Sequence, residues 1–305
     1  MLYRFSLYLL IALFMVACAA TGTGEPETIL VGGATGRQGN AVVDELLARG
    51  YRVRGLTRKP GGKKALALAA KGVEVVQGDY ADSGSLLAAM EGVSRVFFYS
   101  GFSRNEVAEG KNVIVAANEA AIDHLIYSSG AAAEPGHGIE GAAKMQVEIA
   151  LVESGVPYTV FRPVAFMENF RGQQARTDKN GITDSRAPDR LLHFISIPDI
   201  GFLVAEAFDF PEQWKGVAVN IASDVMTVRE YVDTYSKVMG REVAYNRQPL
   251  EEYLAAMPKP LRPLFDWYDK VGYEADVEEL RRRYPNLITF EQYLRDTGWE
   301  DWQAE

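Results

Sequence analysis

The sequence predicts an α/β fold: a doubly wound parallel sheet followed by a smaller C-terminal α/β lobe. Three observations carry this. The apolar run Thr28-Ile29-Leu30-Val31 leads straight into a glycine turn and then into apolar residues at helical spacing. Further short runs rich in β-branched and aromatic residues recur at Val73, Val96, Leu125 and Tyr158. Helix-like stretches separate them, and such βα alternation calls for parallel strands joined by crossover helices. Past Asn169 the composition turns polar and then aromatic-rich. The expected organisation is a leader over 1–17, a tether over 18–27 and one folded unit over 28–305. Within that unit the nucleotide-binding part covers about 28–165 and the lobe about 166–305.

Composition narrows the function classes. With 48% hydrophobic and 24% charged residues, the 305-residue chain has the make-up of a globular protein. Acidic residues outnumber basic ones by 41 to 32, a net charge of -9. This argues against a nucleic-acid surface, which needs a surplus of Lys and Arg. The single cysteine, Cys18, excludes an internal disulfide and a cysteine zinc site. His124, His137 and His193 are too scattered to form a metal-spaced pair.

The N-terminus opens with Arg4 as its only charge before Glu25, then the apolar run Leu7 to Ala17, then Cys18 among small residues. A basic start, a short apolar core and a small-residue exit form the layout of a secretory signal. The apolar run is shorter than the roughly 20 residues of a membrane span. Met15-Val16-Ala17-Cys18 resembles a bacterial lipobox, with Cys18 as the lipidation site. This reading expects a lipoprotein anchored on the periplasmic side, touching the membrane only through its N-terminal lipid. Translation from Met15 would instead give a cytoplasmic protein, and the mass of the mature N-terminus distinguishes the two. Thr21 to Glu27 reads as a tether.

From Thr28 the chain gives strand, turn and helix in order. The turn is Gly33-x-x-Gly36-x-x-Gly39, and the helix carries Ala41, Val42, Leu46 and Leu47 before Arg49-Gly50. One glycine permits the tight turn, one lets backbone approach a pyrophosphate, and one lets helix and strand pack closely. The helix N-terminus offers free N–H groups to phosphates. Thr35, Arg37 and Gln38 fill the turn and join Gly33, Gly36 and Gly39 as cofactor-binding candidates.

The second strand, Tyr51 to Leu56, ends at Thr57-Arg58-Lys59. An Asp or Glu near this place would bind the ribose 2′-hydroxyl of NAD. Here Arg58 stands there, with Lys63 and Lys64 close behind, and a guanidinium can fork onto a 2′-phosphate. The expected cofactor is therefore NADP(H) rather than NAD(H), the alternative being a solvated basic turn. The third strand, Val73 to Gln77, ends at Gly78-Asp79-Tyr80; Asp79 could accept from an adenine amino group or cap the next helix. The fourth, Val96 to Tyr99, ends at Ser100-Gly101, and the fifth, Leu125 to Tyr127, at Ser128-Ser129. Ala108 to Ala121 between them reads as a helix. Asp79, Tyr80, Ser100 and Gly101 are cofactor-binding candidates by their place at strand carboxyl ends.

With these motifs the chain resembles the short-chain dehydrogenase/reductase superfamily, closest to its NmrA-like branch of NADPH-sensing regulators and quinone reductases. The resemblance runs from Thr28 to about Trp299. It rests on VGGATGRQG at Val31, VQGDYAD at Val76, AAKMQVEIALVESGVPYTVFRPVAFMEN from Ala142, FISIPDIG at Phe194 and DVEELRRRYPNLITFEQYLRDTGW from Asp276. It implies a Rossmann fold. Working reductases of the superfamily use a Tyr-x-x-x-Lys pair; Lys144 fits the lysine, while the tyrosine position holds Glu140. An ionised carboxylate cannot donate a proton. The resemblance thus implies that Lys144 is a cofactor contact, or a lone general base. Ser128 or Ser129 falls at the substrate-polarising serine, though a serine ending a strand also serves as a turn residue. The loop after the sixth strand, with Phe166, Met167, Glu168 and Asn169, would lie beside the nicotinamide, although Phe166 and Met167 suit plain core equally.

In the lobe, Gln173 to Pro188 reads as a long loop or lid, Asp199 as a helix N-cap, Val217 to Ile221 as a late strand returning to the sheet, and Thr227 to Met239 as an amphipathic helix. Trp267, Trp299 and Trp302 with many Tyr and Phe suggest a pocket wall or docking surface, with packing of a small helical lobe the commoner explanation. Arg281-Arg282-Arg283 reads as a solvated helix face. Two functions follow from the resemblance: an NADP(H)-dependent reductase of a small carbonyl or quinone, or a non-catalytic NADP(H) sensor acting through a protein partner.

Overall fold

The computed structural model describes residues 27–101, 104–133, 143–170 and 181–301. Cys18 and the leader, Glu140, most of the expected lid and Trp302 lie outside the described residues. Among the described residues no helix is long and apolar enough to cross a membrane.

The first half alternates strictly: β1 (Thr28–Val31), α1 (Arg37–Ala48), β2 (Arg52–Thr57), α2 (Lys63–Ala70), β3 (Glu74–Gln77), α3 (Ser83–Met90), β4 (Arg95–Tyr99), α4 (Glu106–Glu119), β5 (His124–Ser128), α5 (Ala143–Ser154) and β6 (Tyr158–Pro163). The second half contains β7 (Ala165–Phe166), β8 (Ile182–Asp184), β9 (Leu191–Ile195), α6 (Ile197–Asp209), α7 (Pro211–Trp214), β10 (Val217–Ile221), β11 (Asp224–Thr227), α8 (Val228–Met239), β12 (Tyr245–Arg247), α9 (Leu250–Ala255), α10 (Arg262–Lys270), α11 (Val277–Arg283) and α12 (Phe290–Asp296).

The central sheet has seven strands in the order β10-β6-β5-β4-β1-β2-β3. Every pairing in it is parallel. The chain order reverses between β1 and β4, so a ligand crevice opens above the carboxyl ends of those two strands. Continuous apolar strands such as Ile29-Leu30-Val31 are buried on both faces because helices cover both. On one face Val42 and Leu46 of α1 pack with Leu203 and Phe208 of α6. On the other, Phe98 and Tyr127 pack with Val113 of α4 and Val147 and Leu151 of α5. α1 and α6 approach closely because Gly201 has no side chain: a Cβ there would lie 2.6 Å from the Ala41 carbonyl oxygen. The late strand is where the sequence places it, pairing Val217 with Thr159 at the sheet's edge.

The lobe has its own core. Phe194 and Phe290 stack at 4.7 Å between centroids, and Tyr235 meets Trp299 edge-on at 4.9 Å. This accounts for part of the aromatic excess as packing. The expected lid is not all loop: β8 forms a two-stranded parallel ladder with β12. The helix read as Ala108 to Ala121 begins two residues earlier, at Glu106.

Two expectations are corrected here. The N-cap of α6 is Ser196, whose hydroxyl accepts from the Asp199 N–H at 3.1 Å. Pro198 sits at the helix's second position, so the cap falls two residues before it. Asp199 instead reaches across the lobe and accepts from the Ile288 N–H at 3.0 Å. Arg281 is not a solvated residue: its Nη1 donates to the carbonyls of Ser223 (2.7 Å) and Leu287 (3.0 Å). Asp224 accepts from the Phe290 N–H at 2.7 Å. These three side chains clip the segment before α12 onto β11 and α6.

Burial pushes the Asp199 carboxyl from 3.8 up to about 6, against the opposing pull of its hydrogen bonds and Arg281. Its proton is held more tightly in the folded than in the unfolded chain, so its contribution to stability falls as pH rises from about 4 to about 6. A carboxyl displaced this far is worth up to roughly 3 kcal/mol. The stability of the wild type relative to Asp199→Asn, from urea titrations, is expected to fall by up to that amount between pH 4 and pH 7. A pH-independent difference would remove Asp199 as the responsible group.

Candidate functional site

The site grows from the turn between β1 and α1. Gly33 adopts φ +64°, a left-handed conformation that glycine takes without penalty. A Cβ on Gly39 would lie 2.3 Å from the Gly33 carbonyl oxygen, so the first turn of α1 lies directly against the loop. Gly36 is the N-cap of α1 and supplies no capping side chain. The early N–H groups of the helix, with the positive end of its dipole, are thereby offered to an anion. Thr35, Gly36 and Arg37 line a cleft of about 560 Å³ that continues to Lys64 on α2 and Glu168.

The structure distributes the other candidates unevenly. Gln38 Oε1 accepts from Ser128 Oγ at 2.7 Å, tying α1 to the end of β5. Arg58 and Lys63 are exposed beyond β2, where a phosphate could reach them. Asp79 accepts from the Ala81 N–H at 3.0 Å, whereas Asp82 caps α3, so the capping role belongs to Asp82. Tyr80 is half-buried with its hydroxyl inside, 2.3 Å from where a Gly32 Cβ would stand. Met167 is wholly buried in the lobe core, and Phe166 is half-buried against the main core. Glu168 Oε1 accepts from the Ile197 N–H at 2.9 Å, holding the start of α6. Gly101 is exposed.

Ser100 and Lys144 meet in a buried network that also takes in two residues the sequence does not single out. Lys144 Nζ donates to Glu106 Oε1 (2.9 Å), the Ser100 carbonyl (3.0 Å) and Ser100 Oγ (3.2 Å). Ser100 Oγ donates to Glu106 Oε1 at 2.6 Å. The hydroxyl of Tyr127, 2.8 Å from Ser100 Oγ, is therefore the donor in that pair, since Ser100 has a single hydroxyl proton. Glu106 is 4% exposed and stands in the first turn of α4, where the helix dipole favours a carboxylate. The three protons of the Lys144 ammonium thus all have acceptors.

Tyr99 is a further residue that the sequence does not mark. Its hydroxyl donates to the Gly33 carbonyl at 3.2 Å and would lie 1.9 Å from a Cβ on Gly36. Burial raises its pKa, with Arg37 pulling the other way. Its place directly after Phe98 is visible in the sequence, but its reach across the glycine turn depends on how β4 registers beside β1.

Arg37 Nη2 donates to Asn169 Oδ1 at 3.3 Å, bridging the glycine turn to the loop after β6. Asn169 also lines a second cavity, of about 400 Å³, whose walls include Phe194, Tyr253, Phe265, Tyr268 and Tyr273. Part of the aromatic excess is therefore pocket wall. The arrangement can hold a phosphate at the helix start and an aromatic molecule beside it.

The fold has counterparts. The NmrA-like family model matches residues 25–294. An NmrA-like family domain-containing oxidoreductase of Aspergillus hancockii is 30% identical over 74% of this chain and 76% of its own length. Quinone oxidoreductase 2 of Escherichia coli is 26% identical over 75% of this chain and 80% of its own. Among solved structures, a Citrobacter triphenylmethane reductase complexed with NADP(H) superimposes with a TM-score of 0.76 at 26% identity, covering 88% of this chain and 99% of that one. With the parallel seven-stranded sheet and the glycine turn in place, the chain belongs to the NmrA-like family.

Proposed function

We propose that this protein binds NADP(H) on the glycine turn and reduces a small carbonyl or quinone compound held in the aromatic cavity. The observation that carries this is Asn169, which is hydrogen-bonded to Arg37 of the turn and also lines the cavity. A dinucleotide laid from the turn and a molecule in the cavity would therefore be neighbours. The oxidoreductase names of the relatives and the NADP(H) complex of the triphenylmethane reductase support the same reading.

The residues present fit the cofactor. The α1 N-cap, Gly36, supplies no capping side chain, so the first N–H groups of the helix are offered to a pyrophosphate, and Arg58 with Lys63 supplies cations on the side where a 2′-phosphate would lie. NADPH supplies a hydride when bound. Arg37 and the α1 N-terminus would hold its phosphates, and Asn169 would separate the phosphate end from the substrate end. With Glu140 in place of the superfamily's tyrosine, the proton that completes the reduction after hydride transfer would come from water.

One observation favours a second reading, that of a non-catalytic sensor: the Lys144 ammonium is already occupied by Glu106 and Ser100. Following absorbance at 340 nm with a panel of benzoquinones and naphthoquinones separates the two. Quinone-dependent NADPH oxidation is expected; tight NADP(H) binding with no turnover leaves the sensor. In the same protein Arg58→Ala is expected to weaken NADPH binding by about ten- to a hundredfold, the worth of one or two charge-assisted bonds, and to leave NADH unchanged. An equal loss for both cofactors would count against Arg58 as the 2′-phosphate contact.

A further inference from the structure

The aromatic cavity holds a charged group whose charge is already compensated. Arg186 lines it, with a side chain 18% exposed. Its Nε donates to both carboxylate oxygens of Asp184, at 3.0 and 3.1 Å, and its Nη2 donates to Asp184 Oδ2. Asp184 is buried and takes two backbone N–H groups as well, those of Ser185 (2.7 Å) and Arg186 (3.2 Å). The pair is a fork-on-fork ion pair with no net charge. Nη1 of Arg186 has no hydrogen-bond partner among the described residues.

The neighbouring polar groups are mostly spent on one another. The hydroxyls of Tyr268 and Tyr273 bond together, and Ser185 Oγ donates to Asp269 at 2.8 Å. His193 also lines the cavity; its Nδ1 is buried with no partner, and burial lowers its pKa so that the ring is neutral near pH 7. Among the described residues the cavity therefore combines flat aromatic walls, an Arg186 Nη1 without a partner, a neutral imidazole, the Asn169 side chain and no uncompensated charge on the arginine. Burying an ionic ligand beside the neutral Arg186–Asp184 pair would cost desolvation with little Coulombic return. A carbonyl oxygen needs only the donor.

We infer that Arg186 is the group that recognises the ligand's oxygen, and that the cavity selects uncharged planar aromatic carbonyl compounds over anionic or cationic aromatics of the same size. That such a ligand would be reduced there rests on the reductase reading above; its binding does not.

The test is calorimetric titration of the full chain, without cofactor, using 1,4-naphthoquinone, naphthalene, an anionic naphthoquinone sulfonate and a cationic triphenylmethane dye. The neutral quinone is expected to bind tightest. Arg186→Lys, which keeps a cation for Asp184 but loses the fork, is expected to weaken naphthoquinone about tenfold, as for one lost bond from a charged donor. Naphthalene should be unaffected by that change. Leu264→Trp, which fills the cavity and keeps both members of the ion pair, is expected to weaken both ligands and keeps the inference testable if Arg186→Lys fails to fold. The inference is overturned if either charged compound binds more tightly than the neutral one. It is equally overturned if Arg186→Lys spares naphthoquinone or Leu264→Trp changes neither affinity. Naphthoquinone binding with these responses but no NADPH oxidation would leave the site standing and remove the reductase.

Discussion

Glu106→Ala is expected to destabilise the protein by about 3–5 kcal/mol, the usual cost of leaving one member of a buried ion pair without the other. Glu106 is 4% exposed and the Lys144 side chain 16%, so solvent can replace little of what is lost. Three hydrogen bonds converge on Glu106 Oε1 and its neighbour: two from Lys144 and one from Ser100. Without the carboxylate, the Ser100 hydroxyl also loses its acceptor, while Tyr127 keeps Ser100 Oγ as its partner. Lys144→Met alone should cost a similar amount, since it strands a buried carboxylate. The double variant Glu106→Leu with Lys144→Met should recover most of the loss, because an apolar pair of similar volume can replace a buried ion pair at little net cost. Urea unfolding of the wild type, Glu106→Leu, Lys144→Met and the double variant measures the coupling; strictly additive effects would mean that the pair contributes no mutual stabilisation.

The same geometry bears on what Lys144 does. An ammonium with three acceptors has no lone pair and no spare proton donor. For Lys144 to touch a nicotinamide ribose it must exchange one of these acceptors for a ribose hydroxyl. For it to act as a base it must first give up a hydrogen bond to Glu106 or Ser100. The ion pair thus holds the lysine ammonium at the carboxyl end of β4. A reductase with this arrangement would rely on binding and orientation more than on a protein proton donor, which fits the presence of Glu140 at the superfamily's tyrosine position.

How much of this is legible in the sequence? The strands can be read because parallel strands buried on both faces are continuous apolar runs, and the turn because three glycines at fixed spacing join a strand to a helix. Even the return of Val217–Ile221 to the sheet follows from its β-branched run. The contacts that decide the chemistry cannot be read. Glu106 and Lys144 are 38 positions apart, and Arg37 and Asn169 are 132 apart. Only the order of strands brings each pair together. Asp199 misleads because an Asp beside a proline suits a cap, while Ser196, three residues earlier, suits it equally. The choice is set by where Pro198 falls in the first turn. Arg281 resembles its exposed neighbour Arg282 in sequence and differs only in which side of α11 meets the lobe.

The glycines of the turn provide the sharpest contrast, because two of them exclude a side chain for different reasons. At Gly39 a Cβ would meet three backbone atoms: the Gly33 carbonyl oxygen at 2.3 Å, the Gly33 carbonyl carbon at 2.8 Å and the Ala34 Cα at 2.9 Å. None can rotate away, so α1 must lift from β1, disturbing the packing of Val42 and Leu46 beneath it. Gly39→Ala is therefore expected to cost about 3 kcal/mol or more, at the upper end for overpacking of a close contact. At Gly36 the nearest atom is the Tyr99 hydroxyl, 1.9 Å from where a Cβ would stand, and a phenol can swing aside. Gly36→Ala should keep most of the stability, losing roughly 1 kcal/mol as the Tyr99 contact breaks. Yet the methyl and the Tyr99 ring it displaces would crowd the helix start where a pyrophosphate would bind, so NADPH affinity should fall by at least about tenfold. Thermal unfolding and NADPH titration of the two variants separate the effects: Gly39→Ala should fail chiefly in stability, Gly36→Ala chiefly in binding. The reverse order would mean that the turn is held by something other than the contact between Gly33 and Gly39.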